Sequence, residues 1–334
     1  MRRLLSSLIV FAALAAVLPA KPLNREIVWT DAATLPLYGK VNDSTSARYE
    51  RLPAKLEGVL REGLWKDGLC SAGMYIRFRT ASPAIYARWS TARFSRMSHQ
   101  ALTGTRGLDL YGLKQSPKGG SWRYIRTVKP SFREKEVEAP LAGIPATDKP
   151  VVIYGTSIMQ GGCVSRPGMS ITAILTRRLN REVINLGFSG QAHLDGEIAE
   201  WMARTKDPGV FILDYESNAS KQEIEERGER FFRILRDAHP KVPVIFVEHS
   251  RYPFHDWDGK AAAARKGRDE ANRALYGKLK KNGERLIWYV TGEHLIGDDA
   301  EGTVEGIHWN ELGTTRYCDV LEPVIRKALA KNKL

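Results

Sequence analysis

The sequence predicts an α/β protein: a three-layer α/β/α unit with a parallel sheet, preceded by a smaller all-β sandwich. From about residue 148 onward, short apolar runs alternate with amphipathic stretches, which is typical of a parallel sheet covered by helices. Residues 21 to about 145 instead show short stretches of alternating polarity separated by turn-forming clusters, which favours a sandwich. The proline-containing segment 140–150 separates the two patterns. We therefore expect two domains, at 21–145 and 146–334.

The second part of the chain contains five apolar segments of the length of buried strands. They are VVIYG (151–155), EVINLG (182–187), GVFILDYE (209–216), VPVIFVEHS (242–250) and RLIWYVTG (285–292). Amphipathic segments between and after them predict helices at 169–180, 194–205, 221–239, 260–283 and 311–332. In such a parallel sheet the carboxyl ends of all strands lie along one edge, where α/β proteins bind their ligands.

The first part contains two segments with the alternation and the aromatic content of strands, RFRTASPAIYARWS (77–90) and WRYIRTVKP (122–130). The segment ARYERLPAKLEGVLREGLW (47–65) includes Pro53, and we expect a loop and a strand there but no helix. Turn-forming clusters separate the predicted strands at 40–46, 63–68 and 116–121.

Residues 1–20 have the pattern of a secretory signal peptide. Arg2 and Arg3 precede the apolar stretch 4–18, and cleavage is expected before Lys21. The alternative is an uncleaved N-terminal anchor. The sequence thus predicts a secreted or periplasmic protein without any other membrane segment.

The chain is basic, with a formal net charge of +13, which falls to +11 without Arg2 and Arg3. Lys and Arg are spread along the chain and not massed in one block, so we expect no nucleic-acid partner. The charge serves either solubility in acidic surroundings or attraction to an anionic polymer such as an acidic polysaccharide. The oligomeric state is not predicted.

Three cysteines, Cys70, Cys163 and Cys318, are too few for a disulfide framework, and their spacing matches no zinc motif. One pair could form a bridge after export, but the sequence does not say which. Cys163 follows Ser157 by six positions, so it is either a reactive thiol near a site or a small buried hydrophobe.

Small or polar residues follow three of the predicted strands and precede the last helix. Ser157 follows the first strand, Gly190 the second and Asn218 the third, while Glu305 and His308 lie in the loop before the last helix. These are the residue types that acyl transfer needs. An imidazole activates a serine hydroxyl, a carboxylate orients the imidazole, and hydrogen-bond donors stabilise the oxyanion. The sequence offers the backbone amides of Ser157 and Gly190 and the Asn218 side chain as those donors.

The stretches GTSI, NLGFSG (185–190), DYESN (214–218) and GIHWNELG (306–313) resemble, in order and spacing, the four blocks of the SGNH, or GDSL-like, hydrolases. GLDLYG (107–112) resembles the GxDLY signature of a bacterial subgroup with an N-terminal β-domain. The resemblance implies a flavodoxin-like α/β/α catalytic domain after a jelly-roll-like one, with a serine nucleophile in the first block. It also implies Gly and Asn in the oxyanion hole and a histidine base in the last block.

The sequence departs from the family pattern at two positions. Thr156 stands where the first block usually has Asp, which removes a charge that is not part of the triad. Glu305 stands where an Asp usually precedes the histidine by three residues, and its side chain is longer by one methylene, roughly 1.5 Å. The loop either absorbs this length or misplaces the carboxylate.

Structural interpretations compete for several of these residues. Ser157 could be a turn residue or a helix N-cap, His308 a buried core histidine, and Asn218 a cap for the helix near residue 220. Gln160, Arg166 and His193 are weaker candidates for substrate contacts, with solvent exposure as the alternative. Asp109 and Tyr111 are expected either to pack at the domain interface or to belong to a first domain that helps to shape the cleft, whereas Asp214 and Glu216 are expected to support the sheet edge.

The strand-1 loop lacks the G-x-G-x-x-G dinucleotide fingerprint, the chain lacks a G-x-S-x-G elbow, and no metal-ligand cluster is visible. We therefore expect no cofactor and metal-free chemistry. The resemblance implies a carboxylic ester hydrolase, acetylesterase-like, acting on a small-molecule or polysaccharide ester and most simply an O-deacetylase of carbohydrate. The alternatives are a thioesterase or lipid acylhydrolase with the same catalytic groups, and a carbohydrate-binding protein whose catalytic half has decayed.

Overall fold

The computed structural model describes residues 28–81, 85–91, 97–115, 120–128, 142–143 and 148–332. Its strands are β1 (Leu37–Tyr38), β2 (Tyr75–Ile76), β3 (Phe78–Arg79), β4 (Leu108–Lys114), β5 (Ser121–Val128), β6 (Ala142–Gly143), β7 (Val151–Gly155), β8 (Val183–Gly187), β9 (Val210–Asp214), β10 (Val244–Val247) and β11 (Ile287–Val290). Its α-helices are α1 (Glu62–Gly68), α2 (Leu102–Arg106), α3 (Ser157–Gln160), α4 (Ile171–Leu179), α5 (Gly196–Met202), α6 (Lys221–Ala238), α7 (Gly259–Lys281) and α8 (Glu311–Lys331).

Five parallel strands form the central sheet in the order β11-β10-β9-β7-β8. Counted from β7, this is the flavodoxin-like order 2-1-3-4-5, as the family resemblance implies. The order reverses between β7 and β9, and ligands of such sheets bind in the crevice at that point. All five predicted strands and all five predicted long helices are confirmed, with ends that differ by a few residues.

Alternate residues of β7 face opposite layers, because successive side chains of a strand point to opposite faces. Val151 and Ile153 belong to a core cluster with residues of α4 and α8. Val152 and Tyr154 belong to a second cluster with residues of α5, α6 and α7. The sheet is therefore buried on both faces, which explains the continuous apolar runs of its strands.

The described residues before residue 148 form three two-stranded antiparallel sheets, β1-β2, β3-β6 and β4-β5. The expectation of a strand throughout 77–90 is wrong, because only Phe78–Arg79 of the described residues there form one. The expectation of no helix in 47–65 is also wrong, since α1 begins at Glu62. The apolar side chains of this segment do not alternate across a sheet but pack into the core of the α/β unit: Leu52, Leu56, Leu60, Leu64 and Trp65.

The predicted signal peptide, 1–20, lies outside the described residues, and it stays a prediction together with the domain boundary at 145/146. Among the helices of the described residues, none combines the length and the apolarity that crossing a membrane requires. The three cysteines lie within the described residues and form no disulfide bond with one another.

Candidate active site

Ser157 stands where the central strand gives way to a helix. β7 ends at Gly155, and Ser157 is the first residue of α3. Thr156 is the N-cap of this helix, since its side chain accepts a hydrogen bond from the Ile158 N–H. The Ser157 hydroxyl is thus not used as a cap, and it is half-buried at the point where the strand order reverses.

The imidazole of His308 lies beside the Ser157 hydroxyl, with 2.9 Å between Nε2 and Oγ. On the other side of the ring, Nδ1 contacts the Glu305 carboxylate, which also accepts the His308 backbone N–H at 3.2 Å. A carboxylate that holds the Nδ1 proton leaves Nε2 free to accept a proton from the hydroxyl. The three side chains therefore form a hydrogen-bonded chain that can activate a serine.

A tight turn brings the Glu305 carboxylate to the imidazole. Thr303 and Trp309 form an antiparallel bridge that closes the turn. Gly306 lies at its tip with a φ of +92°, a conformation that glycine adopts without steric cost. The extra methylene of Glu305 is absorbed by this turn, and the carboxylate reaches both donors of His308.

The residues that the sequence offers as oxyanion donors follow three adjacent strands, β7, β8 and β9. Gly190 has a φ of +67°, and the Asn218 Oδ1 accepts the Ala192 N–H at 3.2 Å. This contact orients the Asn218 amide and links the two loops. Within the described part of the chain, neither the Gly190 N–H nor the Asn218 amino group donates to a protein acceptor. Ser220, and not Asn218, caps α6.

β8 and α3 are held in close contact behind Ser157. The buried Asn185 side chain donates to the Met159 carbonyl at 2.8 Å and accepts the Gly187 N–H at 2.9 Å. A Cβ at Gly187 would lie only 2.2 Å from the Gln160 backbone nitrogen, so only glycine permits this approach. The position of the hydroxyl thus depends on the NLG sequence of the neighbouring strand.

Two of the three weaker candidates for substrate contacts hold the loop around Gly190. The Gln160 Oε1 accepts the Ser189 N–H at 2.8 Å. His193 lies with Nε2 3.1 Å from the Gly190 carbonyl oxygen and Nδ1 3.1 Å from the Glu223 carboxylate. Both side chains therefore position the loop, and a direct contact with substrate remains a prediction for both.

The third candidate, Arg166, joins the loop after α3 to β4. Its guanidinium donates to the Asp109 carboxylate at 2.7 Å and to the Tyr111 hydroxyl at 2.6 Å. Asp109 also accepts the Gly168 N–H at 2.8 Å. The GLDLYG motif therefore contacts a loop of the site from the first part of the chain. A contact of Arg166 with substrate likewise remains a prediction.

The sequence matches two family models that together cover most of the chain. Residues 148–326, more than half of its length, match the GDSL-like lipase/acylhydrolase family. The chain belongs to this family. Residues 27–154 match a second model, GxDLY, described as the N-terminus of SGNH-hydrolase-type esterases. The resemblance expected from the four blocks and from GLDLYG is confirmed.

Two solved structures are similar to this GDSL-like hydrolase over nearly its whole length. A protein of Bacteroides ovatus ATCC 8483, named as a GDSL-like lipase, has a TM-score of 0.83 and 29% identity over 91% of this chain and 98% of its own. A salicylyl-acyltransferase from a tetracycline biosynthetic pathway has a TM-score of 0.72 and 16% identity, over 90% and 97%, which is a likeness of fold. A comparison with curated protein sequences finds no match. As a GDSL-like hydrolase, the protein is an enzyme that acts on ester bonds.

Two carboxyl groups are buried at the end of β9 in this GDSL-like hydrolase. Burial raises the pKa of Asp214 to about 7, although the Tyr317 hydroxyl donates to it. Burial also raises the pKa of Glu216 to about 8, against the opposing effect of the His249 N–H, which donates to it. Both groups contact the protein interior, in agreement with a supporting role at the sheet edge.

Sequence reasoning missed the grouping of two residues with His308. The ring of His99, from the first part of the chain, stacks on His308 with 5.5 Å between centroids and 27° between planes. One donor atom from each of His99, Cys163 and His308 lies within 4.8 Å of the others. Burial, and next the Glu305 charge, raise the pKa of the Cys163 thiol to about 12, so it is not a reactive thiolate at neutral pH. No motif signals His99, which only the fold brings to the site.

Proposed function

We propose that this GDSL-like hydrolase is an exported serine esterase that removes small acyl groups, acetyl above all, from a carbohydrate. Ser157 is the nucleophile, His308 the base and then the acid, and Glu305 the orienting carboxylate. The backbone N–H groups of Ser157 and Gly190, with the Asn218 amide, stabilise the oxyanion.

The observation that carries this proposal is the unbroken chain of contacts through one imidazole. Nε2 of His308 lies 2.9 Å from the Ser157 Oγ, and Nδ1 contacts Glu305. A catalytically decayed binding protein would have no need to keep this geometry. The intact chain therefore favours an active enzyme over the binding-protein alternative.

The reaction proceeds in two balanced steps. Oγ of Ser157 bonds to the ester carbonyl carbon while its proton moves to Nε2 of His308, and the carbonyl oxygen becomes an oxyanion. The alcohol then leaves with the proton from Nε2, and the acyl group stays on Ser157. Water attacks the acyl-enzyme by the same route, releasing the carboxylic acid. One well-aimed oxyanion donor typically lowers the barrier by about 3–4 kcal/mol.

The openness of the site supports a short acyl group on a bulky alcohol. A Cβ placed on Gly190 would have no atom within 4 Å, so the space beside the oxyanion loop is open. The side chains of His308 and Glu305 are 21% and 34% exposed. A long acyl chain would instead need an apolar cleft. The predicted signal peptide and the basic charge suit a polymer outside the cell, above all an acidic polysaccharide.

The test is hydrolysis of p-nitrophenyl esters of increasing chain length and of acetylated oligosaccharides, with burst and steady-state rates measured. We expect acetate to be preferred and Ser157→Ala to abolish the burst. A matched control is Ser44→Ala, which removes an exposed hydroxyl in a loop of the first part of the chain.

The outcomes separate the alternatives. Preference for long acyl chains or for thioesters would move the assignment to a lipid acylhydrolase or a thioesterase. If Ser157→Ala hydrolysed the esters at the parental rates, the assignment of Ser157 as the nucleophile would be refuted. Absence of turnover in the parent, combined with glycan binding, would favour the binding-protein alternative.

A further inference from the structure

We propose that His99, Cys163 and His308 form a binding site for a borderline-soft divalent cation, with Co²⁺ as the probe of binding and Zn²⁺ as the probe of inhibition, and that the bound cation stops the esterase. The binding step is independent of the proposed function, whereas the inhibition rests on it.

The geometry brings three good ligands together from three separate parts of the chain. Their donor atoms lie within 4.8 Å of one another. A tetrahedral zinc site with two imidazoles and one thiolate needs donor separations of roughly 3.3–3.6 Å, given the usual bond lengths. Bringing atoms that lie up to 4.8 Å apart to this separation takes roughly 1.2–1.5 Å of side-chain adjustment.

The backbone favours the approach of Cys163 to the triad. The Gly162 backbone packs beside the imidazole, since a Cβ there would lie 3.5 Å from the His308 Cδ2. Cys163 follows with a φ of 70°, in the left-handed region, and the residue is 8% exposed. The glycine-rich loop therefore holds the Cys163 thiol in a buried position beside His308.

The donor set selects the class of cation. Imidazole and thiolate favour Zn²⁺ and its chemical relatives, while Mg²⁺ and Ca²⁺ prefer oxygen ligands. On binding, the thiol proton passes to solvent and a metal–sulfur bond replaces the sulfur–hydrogen bond. The two imidazoles donate lone pairs, and the fourth position is left for water.

Inhibition follows from the fact that both ring nitrogens of His308 are already used. Nε2 contacts the Ser157 hydroxyl and Nδ1 contacts the Glu305 carboxylate. A cation on either nitrogen replaces one of these contacts. The imidazole then loses either its function as the base or its orientation, so binding and catalysis exclude each other.

Binding is measured without reference to activity by titrating Co²⁺ into Ser157→Ala protein. The protein also carries Cys70→Ser, because Cys70 is an exposed thiol that would bind metal by itself. We expect one equivalent to bind with a thiolate-to-cobalt charge-transfer band. Cys163→Ser should abolish the band, and His99→Ala should weaken binding at least about tenfold. Equal affinity in all three proteins would overturn the proposal.

Inhibition is measured on the Cys70→Ser enzyme with p-nitrophenyl acetate, each variant being compared with its own metal-free rate. We expect Zn²⁺ to inhibit and Mg²⁺ and Ca²⁺ to have no effect. The Zn²⁺ concentration for half-inhibition should rise at least about tenfold in Cys163→Ser and in His99→Ala. Inhibition that is unchanged in both variants, or equal inhibition by Mg²⁺, would refute the site. If Ser157→Ala binds Co²⁺ as expected but the parent enzyme has no activity, only the proposed function fails.

Discussion

The buried guanidinium of Arg51 donates a hydrogen bond to the carbonyl oxygen of Gly187 at 2.6 Å. Gly187 is the last residue of β8, three positions before Gly190, so a side chain from the first part of the chain holds the strand end that leads into the oxyanion loop. Arg51 is 1% exposed and also donates to the carbonyls of Cys70 and Asp67. Burial lowers its pKa to about 10, which leaves it charged at neutral pH.

Replacing this side chain should affect both stability and rate. In Arg51→Met the carbonyls lose their donors while most of the side-chain volume is kept. We expect a loss on the order of 3 kcal/mol in the free energy of unfolding by urea, and a lower kcat for p-nitrophenyl acetate. The control is Lys66→Ala on α1, which removes an exposed ion pair with Glu62 that contributes little to stability because water screens it. Equal effects of Arg51→Met and Lys66→Ala on stability and on kcat would contradict the conclusion that Arg51 holds the end of β8.

The contacts of Glu305 predict that the longer carboxylate is required here. Glu305→Asp should fall short of Nδ1 in this turn, and Glu305→Gln keeps the length but loses the charge that stabilises the imidazolium. We expect kcat to fall at least about tenfold in both, since loss of the triad charge in serine proteases costs up to about 10⁴-fold. Glu301→Gln in the same loop, which is exposed, is the control. A faster Glu305→Asp enzyme would show that the turn holds the carboxylate poorly.

The close packing of α3 on β8 predicts opposite outcomes for two glycines. Gly187→Ala would place a Cβ 2.2 Å from the Gln160 nitrogen and 2.5 Å from the Met159 carbonyl carbon. We expect this to displace α3, lower the melting temperature and reduce the rate. Gly277→Ala in α7 meets no atom within 4 Å and should stabilise the fold by up to about 1 kcal/mol. Thermal unfolding of both variants tests the contrast.

Glu216 should make stability fall as the pH rises. Its pKa is about 8 in the folded protein, against 4.5 for a glutamate carboxyl in the unfolded chain. Between these values the unfolded chain has lost the proton that the folded chain keeps, so raising the pH favours unfolding. Glu216→Gln removes this effect while keeping an acceptor for the His249 N–H. The free energy of unfolding of the variant, minus that of the parent, should rise by about 1 kcal/mol per pH unit from about pH 5 to pH 7. This difference should become constant above about pH 8.

Urea unfolding at several pH values measures this difference. Buried His249, whose pKa is lowered to about 3, contributes the opposite slope below about pH 6.5 in both proteins and cancels from the comparison. Glu226→Gln on the exposed surface of α6 is the control for a Glu-to-Gln exchange. A Glu216→Gln difference that does not vary with pH would show that the Glu216 carboxyl is ionised in the folded state.

The α/β half could be predicted because its signals are local. Each strand is a short apolar run and each long helix has one apolar face, and the blocks that contain Ser157, Gly190, Asn218 and His308 lie at predictable ends of these elements. The structure brings Ser157, His308 and Glu305 together as the sequence proposed. The catalytic roles themselves await the kinetic tests.

The first part of the chain was less predictable because its contacts are distant in sequence. The sequence pattern of Leu64 and Trp65 indicates a strand or loop, yet they form part of a helix, and they belong to a core cluster whose members lie mostly beyond residue 150. Arg51 and His99 carry no motif, and their importance arises only from the carbonyl or the ring that the fold places beside them. Such partners cannot be read from periodicity or from spacing.

The packing of Leu52, Leu64 and Trp65 into the sheet-facing core has a consequence for how the protein melts. A segment that fills the same core as α5 and α6 cannot detach while the rest of that core survives. The enzyme should therefore unfold in one cooperative transition, with calorimetric and van't Hoff enthalpies in agreement, even though its sequence shows two distinct patterns. A chimera that takes the segment before residue 148 from a relative would therefore also take part of its hydrophobic core from that relative. Such a chimera should fold only where the exchanged side chains fit the rest of the core.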